Sequence, residues 1–326
     1  MDSFFFNITD TSYKTTELFK NKNSHARRVD ISNGIVFLDI QANRLKNREF
    51  AFKNLDRMIV IPVIKKGSFK LYDNIERKEY YSKENSISIY ASSRQDFTIT
   101  IDESKESDIF VLFIADFFLK RYLSADINEP IDFLYEKIQK EISCELIDTK
   151  PIDALSLYII DKIINLKAND SMRSISCEHN ILEFMINRFS LLDMIDEQIE
   201  DYELCISRSA KNILLKSFTS PPTIHVLAHL CATNESKLKK VFKKVYKTTV
   251  YGYIQKLRLE KANLLLKEQL LNIGEIAKEV GYKHQGHFSK VFFQTYGIYP
   301  KDLLKKQGTN SSTAKRKSLY FSKRLD

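Results

Sequence analysis

The chain is poor in the residues that announce most chemistries. Its 326 residues include four cysteines, six histidines, eight glycines and six prolines. Cys144, Cys177, Cys205 and Cys231 stand about thirty residues apart with no CxxC, which supports neither a disulfide framework nor a zinc knuckle. There is no GxSxG, P-loop, GxGxxG or HExxH segment, so nucleophilic, nucleotide-dependent and zinc-hydrolase chemistry find no footing. No enzymatic activity, no cofactor and no metal are therefore expected. The longest strongly apolar run, Ile109–Leu119, is eleven residues and is interrupted by Asp116. A bilayer core needs ~20 consecutive apolar residues, so no membrane partner is expected. The opening MDSFFFNITD lacks the basic region of a secretory signal, and the expected location is the cytoplasm.

What is abundant is positive charge, and it is unevenly placed. Lys+Arg number 51 against 42 Asp+Glu, a formal net charge of +9. Residues 211–326 hold 23 basic and 7 acidic side chains, while residues 1–210 hold 28 and 35. Halves of opposite sign imply different partners, and a stretch this basic is the electrostatic footprint of a nucleic-acid-binding module. A solvated surface would show the same totals, so the decision rests on whether the lysines share a face.

Up to about residue 115 the apolar residues come in short, Ile-, Val-, Phe- and Tyr-rich runs: Gly34–Ile40, Met58–Ile64, Gly67–Tyr72, Ser86–Tyr90, Asp96–Ile101 and Asp108–Ile114. With turns marked by Asp73-Asn74 and Glu84-Asn85, they predict an antiparallel barrel or sandwich. The period then lengthens to three or four, predicting helices over Asp116–Leu123, Ile131–Ile142, Ile152–Leu166, Ile175–Phe189 and Met194–Lys216. Thr219-Ser220-Pro221-Pro222 breaks the helical run. The expected fold class is α+β, a strand-rich first half followed by an all-helical second. The expected organisation is a sensing or dimerisation domain over 1–193, a helical domain over 194–306, and a basic, disordered tail over 307–326.

The basic block contains an internal repeat of about fifty residues. A short helix, Thr223–Leu230, turns through Cys231–Thr233 into Glu235–Tyr246, with Asn234 suited to cap the second helix. Leu238, Val241, Phe242 and Val245 share its inner face; Ser236, Lys239, Lys240 and Lys243 lie opposite. The second copy runs Ile273–Val280, a turn with Gly281 in the position of Ala232, then Gln285–Tyr296. Phe288, Val291 and Phe292 repeat the inner face, and Gln285, Gly286, Ser289, Lys290 and Phe293 the outer one. Gly297 offers a left-handed cap and Pro300 blocks continuation. Val250–Lys267 joins the copies as one amphipathic helix. Each copy has the form of a helix–turn–helix. One alone is a weak signal; two in register carrying most of the positive charge are a strong one.

These residues resemble the DNA-binding domain of the AraC/XylS transcriptional regulators. The likeness covers Thr219–Lys306 and is carried by LKKVFKKVYKTTVYGYIQKLRLEKANLLL and IGEIAKEVGYKHQGHFSKVFFQTYGIYP. Within them, Arg258, Leu259, Ala262, Leu265 and Leu266 match the connecting helix, Gly281-Tyr282 the turn, and Gly297 and Pro300 the end. Thr248–Tyr253 and Pro221–Ile224 resemble the subgroup of the pyochelin siderophore regulator. The resemblance implies two recognition helices in successive major grooves of double-stranded DNA. It nominates Ser236, Lys239, Lys240 and Lys243 on the first, and His284, Gln285, Gly286, Ser289 and Lys290 on and before the second. It further implies RNA polymerase as a partner, activation of transcription, and an N-terminal sensing module, often a cupin-like barrel. Three positions depart from the pattern. Lys247 replaces a C-cap glycine, at about 1 kcal/mol if it takes positive φ. His284 replaces an N-cap serine and is free to turn toward a phosphate. Gly286 has no side chain to read a base, which favours backbone contacts.

The first half carries no diagnostic motif. It has no HxH, its histidines being His25 and His179, which argues against a metal-dependent cupin enzyme. Its strands suit a packed core or a small-molecule effector pocket, an iron–siderophore complex by the subgroup likeness. Ile152–Leu166 and Ile175–Phe189 suit either core packing or a homodimer interface. Control by a protein partner without a small ligand is the alternative, and an enzyme or binding protein that merely carries a basic helical domain is a third. His225, His229 and Cys231 form a conceivable zinc set, weighed against half-buried helix residues.

Overall fold

The computed structural model describes residues 2–5, 13–21, 24–32, 34–43, 49–101, 106–124, 129–139, 144–166, 172–192 and 201–304. The basic tail and the expected helix start at 194–200 lie outside them. The chain divides into two compact units: Met1–Ile152 with Ile159–Leu192, and Asp153–Tyr158 with Asp193–Asp326.

Among the described residues the first unit is built on ten strands: β1 (Asp2–Phe5), β2 (Lys14–Asn21), β3 (Ser24–Ser32), β4 (Ile35–Ala42), β5 (Glu49–Lys66), β6 (Phe69–Asp73), β7 (Lys78–Ser82), β8 (Ser86–Ile101), β9 (Ser107–Ala115) and β10 (Glu145–Pro151). The runs expected at Ser86–Tyr90 and Asp96–Ile101 are one strand, because the polar residues between them keep pairing with β5 across a register shift at Lys53/Leu55. The Asn85 turn takes a left-handed conformation (φ 60°). At the other expected turn, the Asp73 carboxylate accepts from the backbone amides of Ile75 and Glu76. β10 returns to the sheet after the first helices, antiparallel to β8.

The main path runs β2-β3-β4-β9-β5-β8-β6-β7; β1 pairs with β5 in parallel and β10 with β8. Phe19 of β2 and Tyr80 of β7, from opposite ends of that path, belong to one apolar core with Val36, Leu38, Val60, Phe97, Val111 and Phe113. The sheet therefore curls around its core. No ladder joins β2 to β7 among the described residues, so of the cupin-like barrel or sandwich expected, the barrel is not closed. The physical reason lies in the end strands. β2 is mostly exposed and carries Lys14, Glu17 and Lys20, and β7 carries Lys78 and Glu79. Charged, solvated edges resist further pairing. Helices α1 (Asp116–Leu119), α2 (Pro130–Gln139), α3 (Ala154–Ile164) and α4 (Arg173–Phe189) follow the sheet.

The second unit is helical: α5 (Asp201–Ser217), α6 (Ile224–Leu230), α7 (Glu235–Tyr246), α8 (Val250–Glu268), α9 (Ile273–Glu279) and α10 (Gln285–Tyr296). Ile206, Ala210 and Leu214 of α5 pack with Leu227, Ala228, Leu238, Phe242, Tyr253 and Ile254. Full burial of each large side chain stabilises by about 1.5–3 kcal/mol. The first turn of α3 counts with this unit. Its Leu155 amide donates to Asn263 Oδ1 of α8 (2.9 Å), and Asn263 Nδ2 donates to Asp153 (2.8 Å), all buried. Asp153 also accepts from the Ser156 amide and hydroxyl, so an asparagine more than a hundred residues away completes the cap of α3.

Candidate nucleic-acid interface

Local chemistry sets the ends of these helices. Thr223 Oγ1 accepts from the Val226 amide at the start of α6, and Asn234 Oδ1 from the Lys237 amide (2.8 Å) at the start of α7. Thr249 caps α8, and Asn272 with Glu275 forms a reciprocal capping box on α9. At α10 the pattern stops: His284 is extended (φ −130°, ψ 127°) and its side chain makes no cap hydrogen bond. The turn between α6 and α7 places Ala232 at φ 50°, and the turn between α9 and α10 places Gly281 at φ 89°. The C-caps Lys247 (φ 53°) and Gly297 (φ 69°) are both left-handed, so Lys247 carries the strain expected of it.

On α7, Leu238, Val241, Phe242 and Val245 are buried, while Ser236, Lys239, Lys240 and Lys243 are exposed. Lys239 lies 3.3 Å from Glu235 on the next turn. Lys244, not nominated from sequence, donates to Glu203 of α5 at 2.6 Å. That hydrogen bond holds the Glu203 carboxyl below the usual range. Lys237 sits over the Tyr202 ring. Lys240 and Lys243 make no ion pair among the described residues.

On α10, Phe288, Val291 and Phe292 are buried; Gln285, Gly286 and Lys290 are exposed with His284, and Ser289 is half-buried. Gly286 has nothing within 4 Å of where a Cβ would stand, whereas a Cβ on Gly274, at the start of α9, would stand 3.1 Å from Gln285 Oε1. The Gln285 side chain thus lies close to Gly274, and Gly286 leaves bare backbone beside it. Phe293 stacks on Tyr299 at 4.4 Å. Of the conceivable zinc set, His225 and His229 are exposed and Cys231 is buried, and among the described residues no group of three metal-ligating side chains converges.

Sequence reasoning missed a cleft of about 370 Å³ between the early turns of α8 and the turn before α10. Arg258, matched in sequence only as part of the connecting helix, donates to the carbonyls of Phe218 (2.9 Å) and Thr219 (3.1 Å) and lies over the Tyr282 ring. Burial pushes the Tyr282 phenol up, against the opposing pull of Arg258.

Residues 227–306 match the family model described as a helix-turn-helix domain. This stretch of the chain is a helix-turn-helix domain. Among curated proteins, the chain is 37% identical over 81 residues to the HTH-type transcriptional regulator AlkR of Acinetobacter baylyi, covering 25% of this chain and 26% of AlkR. It is 24% identical over 161 residues to the dual transcriptional regulator Rns of Escherichia coli, covering 48% and 60%. The activator CfaD of Escherichia coli is 25% identical over 144 residues, covering 44% and 52%. The chain thus spans from about a quarter to three fifths of the length of these relatives. Of solved structures, ToxT from Vibrio cholerae is 15% identical, covering 79% and 97% of the two chains at a TM-score of 0.30. Among the described residues no helix is long and apolar enough to cross a membrane.

Proposed function

We propose that the chain is a sequence-specific, DNA-binding transcriptional regulator of the AraC type. In this reading α6–α7 and α9–α10 are two helix–turn–helix motifs, and α7 and α10 enter successive major grooves. The carrying observation is the repeated register: each outer helix buries the same apolar face, fifty residues apart, and turns exposed lysine, serine or glutamine outward within a matched helix-turn-helix domain. Lysines meet phosphates, and Ser236, Gln285 and Ser289 reach base edges. The test is binding to promoter and random duplexes across a salt series. Affinity for its own sites should exceed that for random DNA and fall steeply with salt. Equal affinity for every sequence rejects the reading.

We assign activation of transcription, through contact with RNA polymerase in the cytoplasm, by likeness to the activators among its relatives. The first unit is proposed to sense a small effector, an iron–siderophore complex on the Thr248–Tyr253 resemblance. A rise in melting temperature with ferric siderophores supports this, and silence across such a panel favours a protein partner. Homodimerisation is proposed through α4, where Met172, Ile175, His179 and Ile186 are exposed at near-heptad spacing. Sedimentation of Ile175→Glu with Ile186→Glu as a monomer, where the wild type is a dimer, supports it.

A further inference from the structure

The third turn of α10 carries an aromatic ring on a face otherwise made of polar side chains and bare backbone. Phe293 follows Gly286, Ser289 and Lys290 at the i, i+3, i+4, i+7 spacing, so it shares their face. Fifty residues earlier, the equivalent place on α7 holds Lys243. The repeat therefore exchanges a cation for a phenyl ring at one point of the proposed reading surface. That ring is not part of the core: Phe293 is 40% exposed, and Tyr299, just past the helix, 42%. The two rings stack at 4.4 Å with 17° between their planes, and Lys301 lies 5.6 Å from the Tyr299 centroid. The Gly297 amide donates to the Phe293 carbonyl (2.8 Å), which fixes the turn leading to Tyr299. A ring held this way has little rotamer freedom left to lose on binding, while much of its apolar surface still faces water.

We propose that Phe293, braced by Tyr299, contacts the methyl group of a thymine and adds an A·T preference to the half-site that α10 reads. A phenyl ring has no hydrogen-bonding group to offer a base edge, so it discriminates only through apolar contact. Of the groups that base edges present in the major groove, only the thymine C5 methyl is apolar, and phenylalanine is among the side chains that suit it. Lys243, at the equivalent place on α7, would meet a phosphate whatever the sequence, and its contribution would weaken with salt. Phe293 contributes only where a thymine stands, and its contribution is indifferent to salt. The inference rests on the DNA-binding reading above, with α10 in the major groove.

The experiment uses the full chain and a duplex selected from a random pool. Each thymine of the site is replaced in turn by deoxyuridine, which keeps the hydrogen-bonding edge and removes the methyl. Every duplex is titrated with wild type, Phe293→Ala and Phe293→Lys. Wild type should lose about fourfold in affinity at one thymine of the α10 half-site, the effect of one apolar carbon withdrawn from water. Phe293→Ala should lose at least as much on the thymine duplex, lose nothing further with deoxyuridine at that position, and keep the wild-type salt slope. Phe293→Lys should likewise ignore the methyl, and should steepen the slope by about one. Both variants should melt near the wild type, since the ring lies outside the core; should Phe293→Ala fold poorly, Phe293→Lys alone completes the cycle. A selected α10 half-site without a fixed thymine, a wild type that tolerates deoxyuridine at every position, or the same methyl penalties in wild type and variants overturn the contact and leave the DNA reading standing. So does a Phe293→Ala protein that binds every duplex as the wild type does yet activates transcription less with purified RNA polymerase, since the ring then serves a protein. Failure of the wild type to bind any duplex in a salt-dependent way fails the DNA reading itself, and the methyl contact with it.

Discussion

The two helix pairs of the C-terminal unit solve the same geometric problem with different residues. Both need a left-handed residue in the turn and another after the outer helix. The second pair uses Gly281 and Gly297; the first uses Ala232 and Lys247 at φ 50° and 53°. The first pair compensates at its caps, with Thr223 and Asn234 each bonding an orphan amide, while α10 has none. The charge is divided too. α7 presents Lys239, Lys240 and Lys243, whereas the nominated outer face of α10 has Lys290 beside Gln285, Gly286 and Ser289. One pair is strained in its turns and rich in charge; the other is relaxed in its turns, capped on α9 and bare only at the start of α10. On the proposed function, α7 supplies affinity and α10 supplies discrimination.

The largest expected effect is at Gly281. A Cβ there would stand 2.2 Å from the Thr219 carbonyl oxygen at φ 89°, so Gly281→Ala should lose about 3 kcal/mol or more of stability. Ala232→Gly, at the matching position, should instead gain about 0.5 kcal/mol. Denaturant midpoints of both variants decide this, and shifts of the same sign would erase the contrast between the pairs. Next in size, Lys240→Ala should weaken DNA binding about tenfold near 0.1 M salt and flatten the salt slope by about one. Gln285→Ala should leave that slope alone and lower the preference for selected over random DNA. A slope that responds equally to both removes the division of labour.

Lys247→Gly should raise stability by about 1 kcal/mol, since glycine relieves the left-handed strain that Gly297 never carries. Thermal unfolding measures it; no gain would mean that the lysine stem packs favourably enough to offset its backbone. The smallest effect is at His284. Asn at this position, as at 234, should add about 0.5–1 kcal/mol by capping α10. Thermal unfolding measures this too, and no gain would show that an asparagine at 284 does not reach the first amides of α10.

Much of this was legible in sequence because the signals are local. Glu235–Tyr246 and Gln285–Tyr296 are helices over the residues expected, since the apolar period and the Asn234 cap act within one turn. The nominated outer residues emerge exposed, Ser289 half-buried, because residues three and four apart share a helix face and the apolar ones take the opposite face. β10 was missed because Glu145–Pro151 is short, polar and only partly buried. It is a strand because β8 has an edge to offer it. Lys244 was overlooked because its partner Glu203 lies on a different helix.

Taken alone, the order of residues determined the strand-rich first half, the switch to helical period, the repeat in the basic block and the sign of charge on each half, because each depends on neighbours within a few positions. Tertiary structure decided whether the sheet would close, since that turns on strands at opposite ends of the path. It decided that Asn263 would complete a helix cap at Asp153, 110 residues earlier. It also built the cleft of Arg258, Tyr282 and Lys283, which no stretch of sequence contains whole. The physical reason is common to all three: hydrogen bonds and packing act over ångströms, and only the folded chain brings distant residues that close.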